Sequence, residues 1–200
     1  NSLEKIFKDG NVKFFYTVPR FSNPLGLNYT KEEKKKLISL AEKYDVYIIE
    51  DDFLGDFEYD TKSDPIYSYD INDRVIYVKT FSKLLLPGLR IAVVVLPHLL
   101  VNGFKKYKYW SDLSTPLLSQ GALEVYLSSG LFDIHIKKVR EIYLKRMSYL
   151  REESIKNKSP FIRWYIPEKG VFYAGLEILN NKNGESVIEK LYKRDIVLSK

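Results

Sequence analysis

The sequence predicts an α/β protein built on a mostly parallel sheet, and three observations carry that prediction. Segments of strand, helix and strand character follow one another along residues 12–49, the order of a parallel βαβ unit. The apolar run Val46-Tyr47-Ile48-Ile49 lacks the alternation of a strand with one wet face, so it reads as a strand covered on both faces. Beyond Pro97 the pattern turns helical, and a second, smaller strand–helix alternation comes after it.

Taken in order, Val12-Lys13-Phe14-Phe15-Tyr16-Thr17-Val18 has the aromatic and β-branched content of a strand; Pro19 stops it, and the turn-rich Asn23-Pro24-Leu25-Gly26 follows. Thr30 and Glu33 form a capping-box pattern, and Leu37, Leu40, Ala41 and Tyr44 recur at helical spacing, which predicts an amphipathic helix over 31–44. The buried strand then ends in three acids, Glu50-Asp51-Asp52. Two further strands are expected, Arg74 to Lys79 and Arg90 to Leu96, with the loop Thr80-Phe81-Ser82-Lys83-Leu84-Leu85-Leu86-Pro87-Gly88-Leu89 between them. Helices are expected near 98–106, from Ser114 to Ser128 and from Leu131 to Lys156, with Gly130 marking the break between the last two. Pro160 and Pro167 frame an irregular stretch, followed by a strand over Val171–Ile178, a helix over Glu185–Lys193 and a strand over Ile196–Leu198. This order divides the chain into a sheet domain over 1–107, connecting helices over 108–156 and part of a smaller α/β domain over 157–200. Both ends read as cuts through a longer chain.

Composition narrows the chemistry. With 200 residues, 45% hydrophobic and 29% charged, the chain is an ordinary globular protein rather than a disordered one. No apolar run reaches the roughly 18 residues of a membrane span, and the first residues lack a signal-peptide profile, so a cytoplasmic protein is expected. The absence of cysteine excludes disulfides, thiolate catalysis and Cys-based zinc sites, and His98 and His135 alone make no metal cluster. Asn28-Tyr29-Thr30 fits a glycosylation pattern that has no use in a cytoplasmic chain. The net charge of +6 is spread out: Lys34-Lys35-Lys36 follows Glu32-Glu33, and Lys137, Lys138, Arg140, Lys145 and Arg146 surround Glu141. Such interleaving is the pattern of solvated helix faces rather than of a nucleic-acid surface. Small anionic ligands remain natural partners.

In open α/β sheets ligands gather beyond the carboxyl ends of the strands, where this sequence places Asn23, Asp51 and Lys83. Singly, each has an ordinary explanation as a turn residue, a cap or a solvated lysine. The ordered set Asn23-Pro24-Leu25-Gly26, Glu50-Asp51-Asp52, Thr80-Phe81-Ser82-Lys83 and Pro87-Gly88-Leu89-Arg90 is more specific. It resembles the fold-type-I, pyridoxal-phosphate-dependent aminotransferases of class I and II. The resemblance covers nearly the whole chain, because Leu118-Ser119-Gln120 and the segment from His135 to Arg146 also look like that family's later helices. Within the family it most resembles the class I/II branch that includes aminoadipate-type aminotransferases and the aminotransferase-like domains of MocR-type GntR regulators.

The resemblance implies a three-layer large domain with part of a small one, and pyridoxal 5'-phosphate as cofactor. Lys83 is then the residue that holds the cofactor as a Schiff base and later acts as a base, and it is expected to be buried. The ring-nitrogen partner is Asp51, although Glu50 and Asp52 are alternatives by chemistry alone. Asn23 donates to the phenolic oxygen; Thr80, Ser82 and Arg90, which follows Lys83 by seven positions, bind the phosphate. Two residues depart from the family pattern. Phe53 stands where a tyrosine commonly gives the phenolic oxygen a second donor, which implies weakened transamination, and Ala92 stands where a glycine is usual, which implies crowding near the phosphate loop. The family's glycine-containing phosphate loop and ring-stacking aromatic lie upstream of this segment, and its substrate-carboxylate arginine lies downstream, so the chain carries part of an active site. Two functions fit the resemblance. One is an aminotransferase, acting as a homodimer on amino acids and 2-oxo acids. The other is an effector-sensing domain whose DNA binding belongs to a separate N-terminal winged helix.

Overall fold

The structure, a computed structural model, describes residues 2–58, 63–168, 172–179 and 184–198. Its main sheet has the order β1 (Phe14–Thr17), β2 (Tyr47–Asp51), β3 (Val75–Thr80) and β4 (Ala92–Val95). The first three strands are parallel and β4 runs antiparallel beside β3. Helix α2 (Lys31–Lys43) makes the crossover from β1 to β2. Its start is fixed by the expected capping box, in which the Glu33 amide donates to Thr30 Oγ1 at 3.2 Å and the Thr30 amide donates to Glu33 Oε2 at 2.8 Å.

Strand register sorts the residues between two faces. Phe15, Ile48 and Val75 are aligned across β1, β2 and β3, and Leu37, Ile38 and Ala41 of α2 pack on that face. Phe7 completes the cluster from α1 (Ser2–Lys8), a helix the sequence analysis does not anticipate, with its ring 5.7 Å from that of Phe15. Each fully buried side chain of this size contributes about 1.5–3 kcal/mol. The opposite face carries Phe14, Tyr16, Ile49, Asp51, Val78 and Thr80; it is open at β1, where Phe14 is 52% and Tyr16 59% exposed.

Lys34 corrects the expectation of a uniformly solvated lysine run. It sits one turn before Leu37 and Ile38, is buried with them, and its amine donates to Ser63 Oγ and the Asp64 carbonyl, both at 2.7 Å. Burial lowers its pKa, and the nearby Arg20 charge adds to the effect. Arg140, expected on a solvated face, is likewise half-buried and donates to the Asp56 carbonyl at 2.6 Å.

A second cluster joins the loops at the carboxyl edge of the sheet to two helices. Phe21, Leu54, Phe57, Phe81 and Leu84 pack against Leu123 of α4 (Leu117–Ser128) and Phe132 and Ile136 of α5 (Leu131–Lys156). Helix α5 has the expected bounds, and Gly130 before it is left-handed at φ 74°. Helix α3 (Val101–Asp112) begins after a 3-10 turn at His98–Leu100 and runs on past the expected end near 106.

The C-terminal unit departs further from expectation. The stretch between Pro160 and Pro167 contains strand β5 (Ile162–Tyr165), antiparallel to β6 (Gly175–Ile178), so it is not irregular: Ile162, Trp164 and Tyr165 are strand-formers with a partner. Part of the strand expected from Val171 lies outside the described residues. Helix α6 (Gly184–Tyr192) is present, whereas the strand expected at Ile196–Leu198 is not. There Asp195 is left-handed at φ 60° and the Ile196 amide donates to the Leu191 carbonyl at 3.0 Å, folding the chain over the helix end.

Candidate functional site

Parallel pairing with aligned register brings the carboxyl ends of β1, β2 and β3 to one edge of the sheet, and the antiparallel β4 begins at that same edge, where Ala92 pairs with Thr80. Asn23 lies in the loop after β1, Asp51 ends β2, Thr80 ends β3 with Ser82 and Lys83 just beyond it, and Arg90 precedes β4. The topology thus gathers all six residues singled out in the sequence along one edge.

The alternation of a strand separates the three consecutive acids. Glu50 and Asp52 point to the α2 face, and both are fully committed there. Glu50 accepts the amides of Ile66 at 2.7 Å and Tyr67 at 2.8 Å, holding the following segment to the sheet. Its burial pushes its pKa up to about 7, against the opposing pull of those two amides. Asp52 forms a two-pronged ion pair with Arg20, whose Nε donates at 2.7 Å and whose Nη2 donates to the other oxygen, and it also accepts the Tyr77 hydroxyl at 2.7 Å. Burial and the Asp52 charge raise the pKa of Tyr77. Arg20 is tied back to the Ser63 carbonyl at 2.7 Å. Asp51 alone points to the open face, where it accepts the Tyr16 hydroxyl at 2.6 Å. Partial burial, together with this bond, pushes the Tyr16 hydroxyl up to about 12. The sequence analysis singled out neither Tyr16, Arg20 nor Tyr77.

Two predictions arise from this cluster. A β-carbon at Gly55 would overlap Arg20 Nη2 and lie 2.6 Å from Asp52 Oδ1, so Gly55→Ala is expected to pry the pair apart and destabilise the protein by about 1–3 kcal/mol, read by urea unfolding. Glu50 governs a pH dependence. Because its folded pKa, about 7, lies above the unfolded value of 4.5, the native state holds the proton more tightly between those limits. The stability it contributes is therefore full below pH 4.5 and falls as pH rises through 7, by about 3 kcal/mol in all. Unfolding at pH 5 and pH 8 is expected to show this component in the natural chain and to lack it in Glu50→Gln.

The lysine loop is anchored from behind. The Leu84 and Leu85 amides donate to the Phe81 carbonyl at 3.2 and 2.9 Å, and His135 Nε2 of α5 donates to the Leu84 carbonyl at 2.9 Å. Thr80 Oγ1 accepts the Ser82 amide at 3.2 Å. This turn sends Phe81 and Leu84 into the core and leaves Lys83 exposed, which corrects its expected burial. Arg90 is also exposed and is left-handed at φ 55°, closing the 3-10 turn Pro87–Leu89. Asn23 is exposed in a loop held by the C-terminal unit: Gly26 is left-handed at φ 65°, and a β-carbon on it would come 2.9 Å from Pro167 Cγ. Among the described residues the side chains of Asn23, Lys83 and Arg90 have no hydrogen-bond or ion-pair partner, and no group of His, Asp or Glu is arranged to hold a metal.

Residues 3–200 match the sequence model of the family Aminotransferase class I and II. The chain belongs to this family. Over 150 residues it is 47% identical to the HTH-type transcriptional regulator YcxD of Bacillus subtilis, a match covering 75% of this chain and 34% of the regulator. Over 172 residues it is 34% identical to aromatic-amino-acid aminotransferase 1 of Thermococcus litoralis, covering 85% of this chain and 41% of that enzyme. Among solved structures, a kynurenine aminotransferase of Pyrococcus horikoshii in complex with PMP superposes with a TM-score of 0.87 at 30% identity, covering 98% of this chain and 50% of that one. The chain thus spans between about a third and a half of the length of these relatives. The expected fold-type-I architecture, α/β with a mostly parallel sheet, is the one found.

The two residues expected to depart from the aminotransferase pattern lie in different surroundings. Phe53 packs half-buried on the second cluster. Ala92 is exposed and belongs to neither core cluster. Among the described residues no helix is long and apolar enough to cross a membrane.

Proposed function

We propose that this chain is part of the cofactor-binding unit of a pyridoxal-phosphate-dependent aminotransferase that passes the amino group of an amino acid to a 2-oxo acid. The observation that carries the reading is the shared sheet edge of Asn23, Asp51, Thr80, Ser82, Lys83 and Arg90. The donor set fits the cofactor: a primary amine for its aldehyde, a carboxylate for its cationic ring nitrogen, and a guanidinium with two hydroxyls for its phosphate. That Lys83, Arg90 and Asn23 have no partners among the described residues supports the same assignment.

In this reading Lys83 holds the cofactor through its amine and, once free, moves the proton at the substrate α-carbon. Asp51 keeps the ring nitrogen protonated by a close ion pair, and Asn23 orients the ring through its phenolic oxygen. Thr80, Ser82 and Arg90 grip the phosphate. The bound cofactor supplies the electron sink that stabilises negative charge developing at the α-carbon. The proposal includes a cytoplasmic homodimer whose small-molecule partners are amino acids and 2-oxo acids.

The 47% identity to YcxD supports a second reading, in which the chain is the cofactor- and effector-sensing domain of a MocR-type regulator. Incubating the cofactor-loaded intact protein with an amino acid and a second 2-oxo acid separates the two. Repeated amino-group transfer supports the enzyme; cofactor and amine binding without turnover, accompanied by an effector-dependent change in DNA affinity, supports the regulator. A protein that takes up no cofactor contradicts both.

A further inference from the structure

Tyr16 pairs with Ile49 in the parallel register, and Asp51 lies two residues further along the same face of β2. The two are therefore diagonal neighbours, a separation that a phenol side chain spans. Its hydroxyl meets Asp51 Oδ2 at 2.6 Å, the short distance of a bond to a charged acceptor. Packing does not call for that hydroxyl. Tyr16 is 59% exposed, and on the same face of the same strand Phe14, which has no hydroxyl, stacks on Tyr47 at 5.9 Å. Among the described residues Oδ1 of Asp51 has no partner, so the carboxylate is held by one oxygen and open at the other.

We propose that Tyr16 is a positioning residue acting through Asp51: its hydroxyl engages Oδ2, fixes the rotation of the carboxylate, and leaves Oδ1 to meet a cationic ring nitrogen. The inference rests on the cofactor reading above and adds to it a residue from a different strand. Without the hydroxyl, Asp51 is free to turn, and the ion pair with the ring loses its fixed geometry.

The test uses the intact protein in four forms: natural, Tyr16→Phe, Asp51→Asn, and Phe14→Leu as a control on the same open face. Pyridoxal phosphate affinity is read by fluorescence titration, and attachment to Lys83 by reduction and peptide mapping. Tyr16→Phe is expected to bind the cofactor about tenfold more weakly while still attaching it at Lys83, with Phe14→Leu unchanged. In cofactor-free protein, the tyrosinate absorption assigned to Tyr16 by difference is expected to titrate near 12 and to move down in Asp51→Asn, stopping short of the ordinary value because partial burial remains. An unchanged affinity in Tyr16→Phe, with Lys83 still modified, overturns the Tyr16 assignment and leaves the cofactor reading standing. Equal weakening by Phe14→Leu overturns it too, since the effect then belongs to the face and not to the hydroxyl. Failure of the natural protein to attach the cofactor at Lys83 takes down both.

Discussion

Lys83→Ala is expected to abolish covalent attachment of pyridoxal phosphate and to lower kcat/KM for amino-group transfer by about ten-thousand-fold or more, because no other amine lies in that loop. Stability is expected to stay within about 0.5 kcal/mol of the natural protein, since Lys83 is exposed and bonded to no described residue. Lys83→Arg is expected to be equally inactive, because a guanidinium is not nucleophilic at neutral pH. An amino-transfer assay beside a thermal melt of each cofactor-free variant checks both halves. Loss of activity together with a large loss of stability would mean that the side chain packs rather than reacts.

Asp52→Ala is expected to have the largest effect on stability, about 3–5 kcal/mol in urea unfolding. The side chain is 1% exposed and its partner Arg20 10%, so removing the carboxylate strands a guanidinium in the interior and takes the acceptor from Tyr77. The Arg163–Glu177 pair on the β5–β6 hairpin gives the contrast. Its side chains are 58% and 44% exposed, and Arg163→Ala is expected to cost less than about 1 kcal/mol. The two acids beside Asp51 thus serve structural roles: they lock the segment after β2 onto the sheet and hold Asp51 at the end of a rigid strand.

Much of this was legible in the sequence because it depends on period and order. The capping box and helical spacing gave α2, the unbroken apolar run gave β2, and parallel strands with short acidic and lysine-bearing ends implied a common edge. Features that depend on which side chains meet were not legible. Lys34 is buried, although a lysine within Lys-Glu-Glu-Lys-Lys-Lys carries no local sign of its partners 29 and 30 residues away. Arg20 reads as a loop residue until register places Asp52 beside it. Alternation alone could have divided Glu50 and Asp52 from Asp51, but only the register of β1 on β2 puts Tyr16 on Asp51's face. Knowing that they touch required the pairing of β1 with β2. Helix α1 buries only Phe7, too little to mark a period. The Ile196–Leu198 run has strand composition but turns back over the end of α6.

The central claim is that Lys83 is the cofactor's point of attachment, and its most direct test is borohydride reduction of the intact protein with pyridoxal phosphate, followed by peptide mass mapping. The account predicts a phosphopyridoxyl group on the peptide containing Lys83 and its absence in Lys83→Ala. No incorporation, or modification confined to another lysine, would contradict the account and leave an aminotransferase fold without its cofactor chemistry.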